Sequence, residues 1–356
     1  MHSENDIQRK KCREHIFYLF NLITQFLPIL GTLTLFTLPA LIHGCSSVPP
    51  TGERTTAISL QLQSVSGPDK EGNCLDVFVF NDDKLCRLDS YQRFENWKSG
   101  VHEIASCSGE KILFAIANSK LGRFSWSQVN SLDGMEKITV RLEDEMPDNP
   151  VMSGIVKIRA GDKTGAKLVL KPLRSIIEIR SVRCDFRNLP YEGERITDAR
   201  AYLTNVNAEC SVAASGAVSP VRIINIGSLD TEAVEGFRNK ESILYEFKNE
   251  IGKTEVKENI RFACYPSSSA EESPGSPFTR LVLEGKISGN TYYWAFPVNI
   301  ESGSEKGILR NCHYIFDLDI RRKGTASADI DISAEDVSVN MEVGQWKEKD
   351  IYDILF

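Results

Sequence analysis

Hydrophobic and polar positions follow two different patterns along this chain, and the change falls near residue 45. Before it, an almost unbroken apolar run extends from about Ile16 to Ile42 and follows a short basic patch at residues 9–13. After it, short apolar stretches of period two recur between polar turns. The first pattern is typical of a targeting segment, and the second of half-buried β-strands.

The apolar run ends in Leu41-Ile42-His43-Gly44-Cys45, the layout of a bacterial lipoprotein signal. We predict that residues 1–44 are a lipoprotein signal peptide, that the four residues before the cysteine are recognised by the signal peptidase, and that Cys45 carries the lipid. The alternative is an uncleaved membrane-spanning helix, since about 20 apolar residues cross a bilayer. Polar, glycine and proline residues interrupt the run, which favours processing. Both interpretations place the rest of the chain outside the cytoplasm.

The first strand of the mature chain is predicted at Thr56–Val65. Its side chains Ile58, Leu60 and Leu62 alternate with polar residues, the pattern of a strand with one buried face. The polar, glycine-containing residues that follow, up to Asn73, are predicted to form a loop.

Further strands are predicted at short spacing to the end of the chain. Only two stretches, 125–135 and 231–238, have the pattern of short helices. Many short strands with polar turns indicate an all-β fold of antiparallel sandwiches. The predicted strands are at about 75–80, 110–117, 137–142, 152–158, 166–171, 174–183, 196–206, 220–226, 242–247, 258–265, 278–286, 291–300, 311–320 and 326–343.

A turn-rich interruption, Asn188–Gly193, lies near the middle of the chain and is the predicted domain boundary. The predicted organisation in chain order is a signal peptide (1–44), a tether (45–55), an N-terminal β-sandwich domain (56–190) and a C-terminal β-sandwich domain (191–356).

Charge and cysteine content restrict the function. The chain carries a formal net charge of −7, and removal of residues 1–44 leaves −8, which gives no support for nucleic-acid binding. Seven cysteines follow Cys45, and an oxidising compartment permits disulfides whose pairing the sequence does not give. The odd number leaves at least one thiol outside any disulfide. No Cys-x-x-Cys pair occurs, which argues against a zinc or redox site.

No catalytic signature is present. Only His102 and His313 remain after Cys45, and neither lies in a recognisable nucleophile–histidine pattern. Acidic pairs such as Asp317/Asp319 and Asp329/Asp331 share one face of a strand and are read as solvated. We therefore expect no enzyme activity, no cofactor and no metal site.

The densest aromatic cluster is Tyr292–Phe296, and it supports an alternative function. A flat aromatic surface stacks on sugar rings, so the alternative is a monomeric surface lipoprotein that binds glycans through this cluster and its loops. Alternate strand residues face opposite ways, however, so at least half of the cluster is expected in the core. Trp126 and Trp346 are likewise expected to be core residues.

Taken together, several short stretches resemble the Bacteroidetes fimbrillin superfamily, the type V pilus subunits. The resemblance spans about residues 40–350, and its pieces occur in the family's order. They are Thr56–Leu62 after the lipoprotein signal, Leu75–Asn81, Ile112–Asn118, Asn149–Gly154, Leu173–Ile179, Ala201–Val206, Arg310-Asn311 with Tyr314, Gly324, and Val343 with Trp346.

This resemblance implies two tandem transthyretin-like β-sandwich domains and a structural role in adhesive surface fimbriae. In the family, the lipidated precursor is carried to the outer membrane. A trypsin-like protease cuts after the first strand, that strand leaves, and a C-terminal strand of another subunit fills the groove. The implied partners are therefore other fimbrial subunits, together with the outer membrane through the lipid at Cys45. The adhesion ligand stays unknown.

Carried over to this chain, Ile58, Leu60 and Leu62 would fill the groove, and Lys70, the one basic residue of the predicted loop, would be the cleavage site. Here the sequence departs from members that are cut at arginine. Either a protease cuts at Lys70, as expected of a stalk subunit, or the strand and lipid are retained, as in the family's anchor subunits. The C-terminal strand together with the tail Trp346–Phe356 is either a donor strand or part of the core.

Overall fold

The structure is a computed structural model that describes residues 55–64, 74–161, 164–215, 219–268, 278–298, 307–332 and 337–345. The predicted signal peptide, Cys45, Lys70 and the tail from Trp346 lie outside the described residues. Within those ranges, no helix is long and apolar enough to cross a membrane.

Among the described residues, strands far outnumber helices, which confirms the predicted all-β class. The first nine strands are β1 (Thr55–Ser64), β2 (Cys74–Asn81), β3 (Leu88–Glu95), β4 (Gly100–Cys107), β5 (Gly109–Ala117), β6 (Thr139–Arg141), β7 (Met152–Ala160), β8 (Thr164–Pro172) and β9 (Ser175–Cys184). The others are β10 (Thr197–Thr204), β11 (Val206–Ser211), β12 (Arg222–Ile224), β13 (Leu244–Glu246), β14 (Ile260–Cys264), β15 (Arg280–Ile287), β16 (Asn290–Pro297), β17 (Cys312–Ile320) and β18 (Val337–Gln345).

Helices are few and short. The α-helices are Leu132–Glu136 and Thr231–Glu235, and the 3-10 helices are Arg123–Trp126, Leu142–Asp144 and Lys240–Ser242. The helix predicted at 125–135 therefore begins later than expected. Ser131 is its N-cap, and its side chain accepts a hydrogen bond from the N–H of Gly134.

The first sheet has the order β3-β2-β5-β7-β8-β1-β4 and folds over onto itself. Only two residue pairs, Met152–Pro172 and Ser153–Lys171, join β7 to β8. The sheet is therefore two layers: β3-β2-β5-β7 on one side and β8-β1-β4 on the other. Between them lies a buried cluster, called here the β1 core, of Ile58, Leu60, Leu62, Leu75, Val77, Val79, Trp97, Ile104, Leu113, Ala115, Ala117, Met152, Ala160, Leu168 and Leu170.

Strands β2 and β5 are buried on both faces, which explains their continuous apolar sequences. In β2, Val77 and Val79 face the β1 core, while Phe78 and Phe80 face a second and larger core. Successive strand residues point to opposite faces, so a strand between two cores needs apolar residues at nearly every position.

The second half of the chain forms three smaller sheets, ordered β13-β10-β15-β16, β12-β11-β6 and β14-β9-β17-β18. Strand β9 precedes the predicted boundary at residue 190, but its partners β14 and β17 follow it. Likewise β6 pairs with β11. Strand pairing therefore assigns β9 to the second half, and we propose that the boundary lies between β8 and β9.

The strand predicted at 196–206 is two strands, β10 and β11, because the backbone turns at Asn205, which has a φ of 55°. Three further points about strands need correction. Strands β3 and β4 were not predicted, because their sequences carry few large apolar residues at alternate positions. The strand predicted at 326–343 begins only at Val337. Residues 325–332 form irregular structure beside β16, where Thr325 bridges to Tyr293 and Asp331 to Ala295.

Candidate functional site: the first strand and its groove

Strand β1 lies in the middle of the β8-β1-β4 layer and is hydrogen-bonded on both edges. It runs antiparallel to β4, from the pair Thr55–Cys107 to the pair Leu62–Gly100. It runs parallel to β8, from the pair Ile58–Thr164 to the pair Ser64–Leu170. Without β1, neither of these two edges would have its backbone partner, and a groove one strand wide would separate them.

The inner face of β1 fills the β1 core. Ile58 and Leu60 are 0% exposed and Leu62 is 2% exposed. Fully burying a side chain of this size stabilises a fold by about 2 kcal/mol. These three residues are the ones that the alternation in sequence selected, and they form the apolar contacts between β1 and the rest of the chain.

The outer face of β1 is polar and open to solvent. Gln61 and Gln63 are exposed, and the Ser59 hydroxyl donates a hydrogen bond to the Glu103 carboxylate on β4. At the start of the strand, the Thr56 hydroxyl donates to the carbonyl oxygen of Gly161 at 2.6 Å. The strand is thus amphipathic, and only its inner face packs against the core.

The groove wall on the β8 side is held by Arg310, a residue of the loop before β17. Its guanidinium donates to the carbonyl oxygens of Ser153 (2.8 Å), Lys171 (2.6 Å), Pro172 (3.0 Å) and Ala214 (2.6 Å). Burial lowers the pKa of Arg310 to about 10, so the side chain stays cationic at neutral pH. Arg310 thereby joins the ends of β7 and β8 to the second half of the chain.

The histidines have structural partners. His102 lies against the ring of Phe94 and its Nε2 is 2.9 Å from the carbonyl oxygen of Lys98. His313 Nε2 is 3.1 Å from the Glu178 carboxylate, and burial lowers the pKa of His313. Neither contact resembles a nucleophile–base pair.

The acidic pairs are bound by arginines. Asp317 accepts hydrogen bonds from Arg180 and Ser181 on β9, and Asp319 accepts from Arg183 and Arg321. Arg280, which is buried, donates through Nε to Asp331 at 2.6 Å, and its Nη1 lies 3.6 Å from Asp329. All four carboxylates are partners in ion pairs. Asp329 and Asp331 are exposed, as expected, whereas the side chains of Asp317 and Asp319 are only 28% and 18% exposed and are not simply solvated.

The aromatic cluster on β16 does not form a flat exposed surface. Trp294 is 0% exposed and its indole N–H donates to the carbonyl oxygen of Arg322 at 3.0 Å. Phe296 is also buried, and only Tyr292 and Tyr293 are partly exposed. Trp126 lies in the larger core, as expected.

The buried cysteines are held as thiols in the cores. Cys74 donates to the carbonyl oxygen of Ser119, and Cys184 to that of Ile251. Burial raises the pKa of Cys184 to about 11 and that of Cys264 to about 12. Thiols of such high pKa are poor nucleophiles at neutral pH.

Comparison with known proteins identifies the fold. No protein-family model matches the chain, and no curated protein matches it in sequence. Solved structures do match. A candidate cell adhesion protein from Bacteroides eggerthii has 15% sequence identity and a TM-score of 0.61, over 83% of this chain and 97% of that chain. A fimbrilin from Porphyromonas gingivalis has 17% identity and a TM-score of 0.58, over 83% and 99% of the two chains.

The tip fimbrial protein Mfa3 of Porphyromonas gingivalis, with its C-terminus truncated, has 12% identity and a TM-score of 0.51, over 82% of this chain and 100% of that chain. At these identities the similarity is one of fold. The chain has the all-β fold of fimbrial and candidate cell adhesion proteins, and the resemblance to fimbrillins is confirmed at that level.

Proposed function

We propose that this protein is a structural subunit of cell-surface fimbriae, in which β1 is exchanged for a strand of a neighbouring subunit. One observation carries the proposal: β1 is a central strand whose three core side chains, Ile58, Leu60 and Leu62, are at most 2% exposed. The shared fold with a fimbrilin and a tip fimbrial protein supports it.

The physical argument rests on the two edges of the groove. Loss of β1 would expose backbone N–H and C=O groups on β4 and β8 and, between them, the apolar residues of the β1 core. A strand from a second subunit that supplies apolar side chains at alternate positions would satisfy both the ladders and the core. The partners we propose are therefore other fimbrial subunits.

We further propose that the precursor is lipidated at Cys45 and exported to the outer membrane, and that the role in the fimbria depends on residues 65–73. A cut at Lys70 would separate β1 from the body and produce a stalk subunit. An uncut chain would keep β1 and the lipid together and act as an anchor. Among the described strands, β18 is an edge strand paired only with β17, and it or the tail beyond it is the candidate donor.

Limited proteolysis tests this function. The purified precursor should be monomeric, and mild trypsin treatment should cut it at Lys70 and convert it to polymers visible by size-exclusion chromatography and electron microscopy. Lys70→Gln should stay uncut there and monomeric.

The peptide of residues 55–64, added in excess, should occupy the groove and stop growth. The proposal is wrong if the chain cut at Lys70 releases β1 but neither polymerises nor binds that peptide.

A further inference from the structure

Strand β4 is held on its second edge by side chains instead of by a backbone ladder. That edge faces β3, and no ladder joins the two strands. The Ser90 hydroxyl donates a hydrogen bond to the carbonyl oxygen of Ala105. The backbone N–H of Ala105 in turn donates to Gln92 Oε1 at 3.2 Å. The N–H of Cys107 donates to Asp89 Oδ2 at 2.9 Å. Three residues of β3, Asp89, Ser90 and Gln92, thus bind the backbone of β4.

Asp89 is the centre of this contact. Its Oδ2 also accepts from the Ser106 hydroxyl at 2.8 Å and lies 3.1 Å from the Lys111 ammonium of β5. Lys111 in turn donates to Asn81 Oδ1 of β2 at 2.6 Å. The Lys111 side chain is 2% exposed and that of Asp89 is 9% exposed. Separation of such a buried pair is costly, so it fixes the position of the Asp89 carboxylate.

The charge state of Asp89 agrees with this role. Burial acts to raise the pKa of Asp89, but hydrogen bonds from Cys107, Ser106 and Lys111 outweigh it and hold the pKa below the usual value. The carboxylate is therefore ionised at neutral pH and accepts hydrogen bonds from all three groups. Hydrogen bonds to an ionised acceptor are roughly twice as strong as neutral ones.

None of these contacts involves β1. We propose that Asp89 is a positioning residue that keeps β4 docked on β3 while β1 is absent, so that the groove stays open for the incoming strand. This inference rests on the proposed function, because only an exchange of strands leaves the groove empty. It has a second consequence: with the N–H and C=O of Ala105 already bound, the outer edge of β4 is closed to strand addition. On β4, a strand is then added only where β1 lay.

The test is hydrogen exchange in a full chain from which β1 has been expelled. Ile58→Asp, Leu60→Asp and Leu62→Asp together place three charges in the β1 core and remove β1 from the groove without proteolysis. In this expelled variant, we expect the amides of Ala105 and Cys107 to exchange about as slowly as in the intact chain. Adding Asp89→Asn should accelerate both by about tenfold or more.

Two comparisons make the result specific. Amides of β17 should be unaffected in every variant, which separates local release of β4 from general unfolding. Glu95→Gln is the matched control, because Glu95 is an exposed carboxylate on the same strand as Asp89 and its ion pair is with Arg93, also of β3. It should leave the exchange of Ala105 and Cys107 unchanged.

The proposal is overturned if Ala105 and Cys107 exchange freely in the expelled variant that retains Asp89, or if Asp89→Asn does not change their rates. Loss of protection that extends to β17 in the expelled variant also overturns it, since the groove then does not persist without β1. Failure of the proposed function has a different signature. Ala105 and Cys107 stay protected, but the expelled variant does not capture the peptide of residues 55–64.

Discussion

Arg310 shows how one side chain supports a distant strand. It lies in the loop before β17, and four backbone carbonyl oxygens of the chain accept its hydrogen bonds. Two of these oxygens, on Lys171 and Pro172, belong to the end of β8, where only two residue pairs hold β8 to β7. The planar guanidinium carries five N–H donors on three nitrogens in a fixed fork, whereas an ammonium group has three donors on a single nitrogen.

We predict that Arg310→Met lowers the free energy of unfolding by about 3 kcal/mol, since hydrogen bonds to charged groups contribute about 1.5–3 kcal/mol each and do not add fully. Arg310→Lys should recover less than half of the loss, because it restores the charge but not the fork of donors. Urea unfolding of the three proteins measures this. Equal stability of Arg310→Lys and the parent chain would show that charge alone, and not the guanidinium geometry, is required.

The sequence identified Arg310 only as part of a family resemblance and gave no role for it. Its partners lie about 96 to 157 residues away along the chain, and a loop arginine has no local pattern that predicts such contacts. The same limit applies to Trp294. Alternation predicted that about half of the β16 aromatics are buried, but could not tell which half, because that depends on the face covered by residues 322–332.

At the level of elements, β1 is held by its inner face. The apolar side chains Ile58, Leu60 and Leu62 supply the burial, while the outer residues contact solvent and the side chains of β4. The stability that β1 contributes should therefore depend on alternate residues only. This division is what lets a different strand with the same alternation replace it.

Leu60→Ala should accordingly destabilise the chain by about 2–5 kcal/mol, because it leaves a cavity in the β1 core. Gln61→Ala, one position away on the exposed face, should change stability by less than about 0.5 kcal/mol. Guanidinium unfolding compares the two. If both substitutions have the same effect, β1 is not held by its inner face and the proposed exchange loses its physical basis.

A second element-level prediction concerns β17 and the edge strand β18. Hydrogen bonds from Arg180 and Ser181 lower the pKa of Asp317, and Arg180 also binds Glu342 of β18 at 2.9 Å. The pKa of Asp317 is lower in the folded chain than the ordinary value of 3.8. Its stabilising contribution is therefore full above about pH 4 and is lost as the pH falls through the folded pKa.

Asp317→Asn should remove this part of the acid dependence. We expect the substitution to lower stability at pH 7 by at most about 1 kcal/mol, as for other solvent-accessible ion pairs, and to have little effect near pH 2. Unfolding free energies measured from pH 2 to 7 give the comparison, with Glu246→Gln as an exposed control carboxylate. A difference between parent and Asp317→Asn that does not shrink at low pH would contradict the assignment.

The strands also show which parts of the site the sequence could predict. Strand β1 was predictable because its alternation is regular over three apolar positions. Its neighbour β4 was not, because Ile104 is its only large apolar residue that is buried, and Val101 is exposed. Strand β4 is held to β3 by Asp89 and other polar side chains, so neither strand needs a regular alternation of apolar residues that a sequence pattern would reveal.

For the whole molecule, local patterns predicted the fold class but not the connections. The sequence places β9 beside β8, yet β9 pairs with β14 and β17, about 80 and 137 residues further on. Pairing over such separations depends on complementary faces of distant strands, for which one sequence contains no local signal. The proposed role depends on this connection, since β9 and Arg310 link the groove domain to the half that contains β18.

The mature N-terminus should decide between stalk and anchor, since β1 stays covalently attached to the body while residues 65–73 are intact. Mass spectrometry of the native protein from the cell surface should find either Glu71 as the first residue and no lipid, or a lipidated Cys45 with β1 retained. Cys45→Ser should prevent lipidation in both cases, and Lys70→Gln should change only the first. A native chain that begins at Glu71 but occurs only as a monomer would contradict assembly by strand exchange, because the empty groove would have no occupant.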